Sequence, residues 1–225
     1  LKLIMAVTGL LFALFVVGHM AGNLKLYLPA NGGEEALDEY GAFLRSMGEP
    51  LFPHEGALWI IRAVLLVAII AHIYGAIALT TRSKASRGKF KRTNLMGGLD
   101  SFATKSMLVT GVVLLLFIIF HLLHFTLLKP DLSDRFTSEE IKASPYDMVV
   151  GSFENPLLVL LYTLAMIALG LHLMHGVWSA AQTLGATGTP AKARLWQTVG
   201  KIIAAVVVVG FLIPPFAILL NIVGK

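Results

Sequence analysis

Five long apolar segments alternate with polar segments along the chain. The apolar segments cover residues 3–28, 57–81, 105–128, 155–183 and 197–222. Because an α-helix rises about 1.5 Å per residue, each segment is long enough to cross a hydrocarbon core of about 30 Å with some tilt. The pattern predicts an all-α integral membrane protein in which residues 1–225 form one domain, a bundle of five transmembrane helices.

The composition agrees with a membrane protein and limits which partners and redox groups the chain can bind. Hydrophobic residues make up 56% of the chain, charged residues make up 14%, and the mean hydropathy is +0.78. The net charge of +5 could indicate a nucleic-acid partner, but the charges lie in loops between apolar segments, so we expect contact with membrane lipid and none with nucleic acid. The absence of cysteine excludes disulfides, thiolate iron–sulfur ligation and covalently attached haem, which leaves histidine to hold any redox group.

The loop charges predict an orientation in the bacterial cytoplasmic membrane. Two loops on the same side of a five-helix bundle are basic, with Asp100 as their only acidic residue. Their basic residues are Arg82, Lys84, Arg87, Lys89, Lys91, Arg92, Lys105, Lys192, Arg194 and Lys201. An excess of lysine and arginine marks the cytoplasmic side, so the N-terminus is expected inside and the C-terminus outside.

A short amphipathic helix is predicted in the first outer loop, from Glu34 to Met47. Apolar residues recur there at helical spacing, and Gly48 and Pro50 act as stop signals. The pattern favours a helix lying at the membrane interface. A lid over a site at the outer end of the bundle is the alternative.

Six histidines lie within four of the five predicted spans, and the topology sorts them by depth. In the outer half, His19 can meet His121 or His124; in the inner half, His72 can meet His172 or His175. Ionisable residues inside a membrane need partners and indicate functional sites. Two facing imidazoles from different helices are the axial ligands of a six-coordinate b-type haem, so two such pairs predict two haems b in the bundle.

Four stretches carry a resemblance to a known family, and together they cover essentially the whole chain. They read MAVTGLLFALFVVGHMAGNL in the first span, AHIYGA in the second, FHLLHF in the third and HLMHGVWSAAQTLG in the fourth. The chain resembles the cytochrome b558 membrane anchor of succinate dehydrogenase and fumarate reductase, in its single-polypeptide class with two haems. The most specific part is the run of His172, Gly176, Trp178, Ser179 and residues 182–185.

The resemblance implies a ligand for each side of each haem iron. His72 and His172 align with the ligands of the inner haem iron, and His19 and His121 align with those of the outer one. His124 and His175 are then alternative ligands, or neighbours that bond a haem propionate or a backbone carbonyl.

The same resemblance implies an electron path between subunits. A flavoprotein and an iron–sulfur subunit oxidise succinate at the cytoplasmic face. The anchor then passes electrons from the inner to the outer haem and on to a quinone, expected to be menaquinone; fumarate reduction is the reverse direction. This chain is expected to contribute no catalytic residue to succinate oxidation.

Further polar residues are expected around these groups. Near the outer haem, the proposed quinone region contains Asn23, Lys25 and Tyr27. Arg62 at the outer side, with Lys105 and Arg82 at the inner side, are expected contacts for haem propionates, because an arginine fork matches a carboxylate. Lys25 and Arg62 could instead extend to the membrane interface.

Two other functions fit part of the pattern. One is the haem-b subunit of another quinone-linked complex, such as a membrane hydrogenase or formate dehydrogenase; the long motif of the fourth span argues against it. The other is a haem-free transporter that uses intramembrane histidines as a proton relay. Such a relay would need charged partners inside the spans, which contain very few.

Overall fold

The computed structural model describes residues 1–29, 35–89, 98–127, 130 and 136–224. Every regular element in these residues is helical. The helices are α1 (Lys2–Asn23), α2 (Ala36–Ser46), α3 (Gly56–Arg87), α4 (Gly98–Leu122), α5 (Ser138–Ala143), α6 (Pro145–Phe153), α7 (Pro156–Thr183) and α8 (Pro190–Leu219). A 3-10 turn, Leu24–Tyr27, continues α1, and a π-helical turn, Leu123–Leu127, continues α4.

Five helices of the described residues are long and apolar enough to cross a membrane. They are α1, α3, α4, α7 and α8, in agreement with the five predicted spans. Within the bundle α7 packs against α1, α4 and α8, and α3 packs against α1. The helix order and the expected number of crossings are therefore those of an all-α membrane protein.

Three of these helices extend beyond the predicted apolar segments. α3 continues to Arg87 instead of ending at residue 81, and α4 begins at Gly98 instead of residue 105. α8 occupies 190–219 instead of 197–222. Hydropathy marks only the part of a helix that lies in lipid, whereas the hydrogen-bonded helix runs on into polar flanks. Residue 128, the predicted end of the third span, lies outside the described residues.

Local capping explains where α7 and α8 begin. The Asn155 side chain accepts a hydrogen bond from the backbone N–H of Leu157, and Pro156 occupies the first turn. Thr189 caps α8 in the same way, with Pro190 in its first turn. A polar cap followed by proline is a typical helix start, because proline needs no hydrogen-bond acceptor there.

One end of the bundle is covered by α2 and α6, and we call it the capped end. The Asp38 carboxylate of α2 accepts hydrogen bonds from the Ser144 hydroxyl (2.7 Å) and the Tyr146 backbone N–H (2.8 Å) at the start of α6. Free N–H groups and the helix dipole make a helix start favourable for a carboxylate. These two short helices meet α1, α7 and α8 in a buried cluster that comprises Leu26, Leu37, Val150, Phe153, Val159, Tyr162 and Ile218.

The predicted surface helix is α2, which spans Ala36–Ser46; its predicted start at Glu34 lies outside the described residues. It contacts α1, the 3-10 turn that continues α1, and α6. The neighbouring α5 begins with a capping box, in which Thr137 and Glu140 bond each other's backbone N–H groups. The hydrogen bonds from Thr137 lower the pKa of the exposed Glu140 carboxyl.

The opposite end carries the exposed basic residues Arg82 and Lys84 of α3 and Lys192 of α8, and we call it the basic end. Closer to it, a second buried cluster joins α1, α4, α7 and α8. Its members are Met20, Ala103, Leu173, Met174, Ala204 and Val207.

Candidate haem-binding site

His72 of α3 and His172 of α7 face each other in the half of the bundle nearer the basic end. Their ring centroids lie 6.3 Å apart, with an angle of 54° between the ring planes. We call these two residues the inner pair. The Thr8 hydroxyl lies 3.0 Å from Nδ1 of His72, and the Thr110 hydroxyl lies 3.2 Å from Nδ1 of His172.

The two threonine hydroxyls favour one tautomer of each imidazole. Each hydroxyl donates its only hydrogen to the backbone carbonyl four residues earlier, at 2.7 Å for Thr8 and 3.0 Å for Thr110. With the hydroxyl hydrogen on that carbonyl, each threonine oxygen accepts its second bond from the Nδ1–H of His72 or His172. This leaves the Nε2 lone pair of both imidazoles available for a metal.

His19 of α1 and His121 of α4 form the corresponding outer pair, nearer the capped end. Their ring centroids are 5.9 Å apart, with an angle of 76° between the planes. His19 stacks in parallel on Phe15 at 5.6 Å, which restricts rotation of its ring. His121 packs beside Phe117 and Phe125.

A chain of hydrogen bonds supports His121 and explains the role of its neighbour. The Ser152 hydroxyl donates to the Met148 carbonyl at 2.6 Å, so it accepts from Nε2–H of His124 at 3.1 Å. Nδ1 of His124 is then an acceptor and receives the Tyr162 hydroxyl proton at 3.1 Å. The same Tyr162 oxygen accepts from Nδ1–H of His121 at 3.3 Å. Both nitrogens of buried His124 are therefore engaged, while Nε2 of His121 keeps its lone pair.

The spacing within each pair fits an axial ligand set. A metal–imidazole bond is about 2 Å long, so two imidazoles on opposite sides of one metal have ring centres roughly 6 Å apart. Among the described residues no group of three or more His, Asp or Glu side chains could hold a metal ion. Two protein ligands are what a haem iron needs, because the macrocycle supplies the other four.

The two pairs lie at different depths along the same helices. Thr8, which contacts the inner pair, and His19 of the outer pair are both on α1. Eleven residues separate them, which corresponds to roughly 16 Å along a helix axis. Thr110 and His121 have the same separation on α4. The two pairs are therefore separated along the axis of the bundle.

The last intramembrane histidine, His175, lies one turn beyond His172 and towards the basic end. Its Nδ1 is 2.9 Å from the Thr104 hydroxyl, and its ring lies 5.8 Å from that of Trp178. The indole Nε1 of Trp178 is buried and has no hydrogen-bond partner among the described residues. A buried donor without an acceptor is costly, and it fits a site completed by a carboxylate or carbonyl of a bound group.

The other predicted site residues are distributed over both ends. At the capped end, the Lys25 ammonium lies 5.4 Å from the centre of the Tyr40 ring, and the Arg62 guanidinium lies 4.8 Å from that of Trp59. Asn23 ends α1 and is half-buried, while Tyr27 is exposed. Arg82 and Lys105 are exposed at the basic end. His54, outside the spans, bonds Glu49 at 2.9 Å.

Glycines beside the histidines divide into two groups. No described atom lies within 4 Å of a Cβ built on Gly18 or Gly176, so open space adjoins His19 and His175. Gly22, Gly75 and Gly170 instead contact side chains of neighbouring helices, which is ordinary close helix packing.

The sequence analysis missed the residues that orient the histidines: Thr8, Thr110, Tyr162 and Ser152. A hydroxyl in an apolar helix usually bonds its own backbone and gives no functional signal. A repeat in the chain could have identified the threonines, because Val-Thr-Gly occurs at 7–9 and at 109–111, each time eleven residues from threonine to histidine.

One similar protein is the succinate dehydrogenase cytochrome b558 subunit of Bacillus subtilis (strain 168). It is 26% identical to this chain over 192 residues, which cover 84% of this chain and 81% of the relative. The resemblance to the cytochrome b558 anchor is confirmed. With the five apolar helices, this similarity supports a multi-pass membrane anchor of the cytochrome b type. No protein-family model matches the chain, and no solved structure matches it significantly.

Proposed function

We propose that this chain is the membrane-anchor cytochrome b subunit of a succinate:quinone oxidoreductase, with two haems b and with menaquinone as its quinone. The observation that carries the proposal is the presence of two facing histidine pairs at different depths. Similarity to the succinate dehydrogenase cytochrome b558 subunit of Bacillus subtilis supports succinate dehydrogenase over other quinone-linked complexes.

In this proposal the inner pair, His72 and His172, and the outer pair, His19 and His121, ligate the two haem irons. The free Nε2 lone pair of His72, His172 and His121 supports the choice. His124 is the poorer candidate, because both of its nitrogens already have partners. When bound, the haems would supply reversible one-electron chemistry. The protein's part is to fix the imidazoles and exclude water from them.

Charged and polar groups at both ends of the bundle could bind the haem propionates. Arg62 at the capped end, and Arg82 and Lys105 at the basic end, are proposed to neutralise haem propionates. The unpartnered Nε1–H of Trp178 adds a donor on the basic side. A propionate is a carboxylate, which accepts charge-assisted hydrogen bonds from such groups.

We place the quinone region at the capped end, around Asn23, Lys25 and Tyr27. α2 covers this part of α1, because Tyr40 packs on Gly22 and lies under the Lys25 ammonium. A quinone ring needs an apolar slot with a few polar groups that bond its carbonyls. The end of α1 offers both kinds of group.

The basic end is proposed to face the cytoplasm, where the flavoprotein and the iron–sulfur subunit would dock. Lysine and arginine excess supports this orientation. In the membrane of a bacterial cell the N-terminus is then inside and the C-terminus outside. Electrons from succinate would enter at the basic end, and quinone would be reduced near the capped end.

The deciding experiment is a dithionite-reduced minus oxidised spectrum of the purified chain, with pyridine haemochrome quantitation. Two b-type haems per chain are expected. Copurification of a flavin-containing and an iron–sulfur subunit with succinate:quinone activity would separate this function from a hydrogenase or formate dehydrogenase subunit. A preparation without haem would contradict the proposal and favour the proton-relay transporter.

A further inference from the structure

Two segments of the chain repeat each other in sequence. Residues 5–19 (MAVTGLLFALFVVGH) and 107–121 (MLVTGVVLLLFIIFH) align without gaps and are identical at Met, Val, Thr, Gly, Leu, Phe and His. The first segment lies in α1 and the second in α4. Each is followed along the chain by a spanning helix, α3 or α7, that contributes one histidine of the inner pair.

The two repeats make equivalent contacts with the two histidines of the inner pair. Thr8 of α1 bonds His72 of α3, the next spanning helix. Thr110 of α4 likewise bonds His172 of α7, the spanning helix that follows α4. The glycines next in sequence also correspond. A Cβ on Gly9 would lie 3.5 Å from Cε1 of His72, and a Cβ on Gly111 would lie 3.6 Å from Cε1 of His172.

Threonine and glycine act together in each repeat. The hydroxyl bonds Nδ1 of the imidazole, and the adjacent glycine lies beside the same ring, where a Cβ would make ordinary van der Waals contact with Cε1. The inner pair is therefore held from both sides by equivalent contacts. The outer pair has different supports, because Tyr162 bonds His121 whereas His19 stacks on Phe15.

We propose that Thr8 and Thr110 are matched positioning residues of the inner pair, which hold both imidazoles with Nε2 towards the haem iron and lower the reduction potential of that haem relative to a chain without these hydroxyls. The inference rests on the proposed function. Both residues act through the histidines and touch no reacting atom.

The direction of the effect follows from the hydrogen bonds. An acceptor at Nδ1–H increases the basicity of the ligating Nε2 and fixes the ring orientation. A more basic ligand stabilises the oxidised iron more than the reduced iron. Each hydroxyl also donates to a backbone carbonyl, and such a chain of bonds polarises the oxygen and strengthens it as an acceptor. Removing either hydroxyl is expected to raise the potential.

The test uses Thr8→Val and Thr110→Val, which keep the side-chain shape and remove the hydroxyl, together with the double variant. Thr8→Ser and Thr110→Ser restore a hydroxyl. Thr163→Val is the matched control, because the Thr163 hydroxyl bonds the Val159 carbonyl of its own helix at 2.7 Å. Redox titration of the full chain, monitored at the haem absorption bands, measures both midpoint potentials, and the haem missing from His72→Ala identifies the inner one.

Each valine variant is expected to shift the inner potential upwards and leave the outer one unchanged, with a larger shift in the double variant. The serine variants and Thr163→Val should behave as the unsubstituted chain. Selective loss of the inner haem from the valine variants, with retention in the serine variants, also supports the proposal. The proposal would be overturned if the valine variants held two haems with the same midpoint potentials as the unsubstituted chain. Loss of haem from the serine variants would also overturn it. An unsubstituted chain that binds no haem would instead contradict the proposed function.

Discussion

His72 and His172 lie on helices from opposite halves of the chain, and their ring centroids are 6.3 Å apart. His72 is on α3, which packs on α1, whereas His172 is on α7, which packs on α4. In the proposed function, a metal held between the two rings would join the halves. Because a ligand that binds only the folded state stabilises it, haem insertion and assembly of this bundle are expected to be coupled.

Replacing an inner ligand should remove one haem and leave the other. His172→Ala is expected to reduce the pyridine haemochrome yield from two haems b per chain to one, because the outer pair does not include this residue. The matched control is His175→Ala, which removes the neighbouring imidazole one helical turn away. It should retain two haems. The opposite result, with two haems in His172→Ala and one in His175→Ala, would assign the iron ligand to His175.

The Tyr162 hydroxyl should matter for the outer haem alone. Tyr162→Phe removes the acceptor of His121 Nδ1–H and the donor to His124 in one step. Loss of such an orienting partner typically weakens metal affinity by about 10–100-fold, so partial loss of the outer haem is expected after exchange with a haem-scavenging protein.

Tyr74→Phe is the control for this variant, because Tyr74 lies on α3 and is exposed. Haem retention is measured over time from the absorption bands. Equal retention in the two variants would show that the Tyr162 hydroxyl does not support the outer site.

The spans could be predicted from sequence, whereas the capped end could not. A membrane crossing requires a long apolar run, and this leaves a strong mark in hydropathy. α5 and α6 are short and lie in a polar loop, where no such rule applies. Asp38 carries no sequence signal for its bonds to the start of α6, because they join residues that are far apart in the chain.

Part of the candidate site could likewise be predicted from the sequence, and part could not. Depth along each helix follows from counting residues, so the pairing of His72 with His172 or His175 and of His19 with His121 or His124 could be proposed from topology. The difference between His121 and His124 depends on Tyr162 and Ser152, which come from α7 and α6. Helical spacing places both histidines on one face and cannot separate them.

Close packing of α7 and α8 should make Gly200 intolerant of a side chain. A Cβ at this position would lie 2.6 Å from the backbone oxygen of Met174, which cannot move aside as a flexible side chain can. Gly200→Ala is therefore expected to lower the stability of the bundle by about 1–3 kcal/mol. Gly188→Ala is the control, because no described atom lies within 4 Å of its Cβ position. Unfolding in detergent, followed by circular dichroism, compares the two, and equal stability would contradict the close approach.

The predicted orientation can be tested with single introduced cysteines, because the natural chain has none. Leu51→Cys lies beside the capped end and Lys84→Cys at the basic end, and both positions are exposed. In intact bacterial cells, with any outer membrane made permeable, a membrane-impermeant maleimide should label Leu51→Cys and leave Lys84→Cys unmodified. Detergent should make both reactive, which controls for accessibility. Labelling of Lys84→Cys alone in intact cells would show that the basic end lies outside, opposite to the predicted orientation. The iron–sulfur subunit could then not dock at the basic end as proposed.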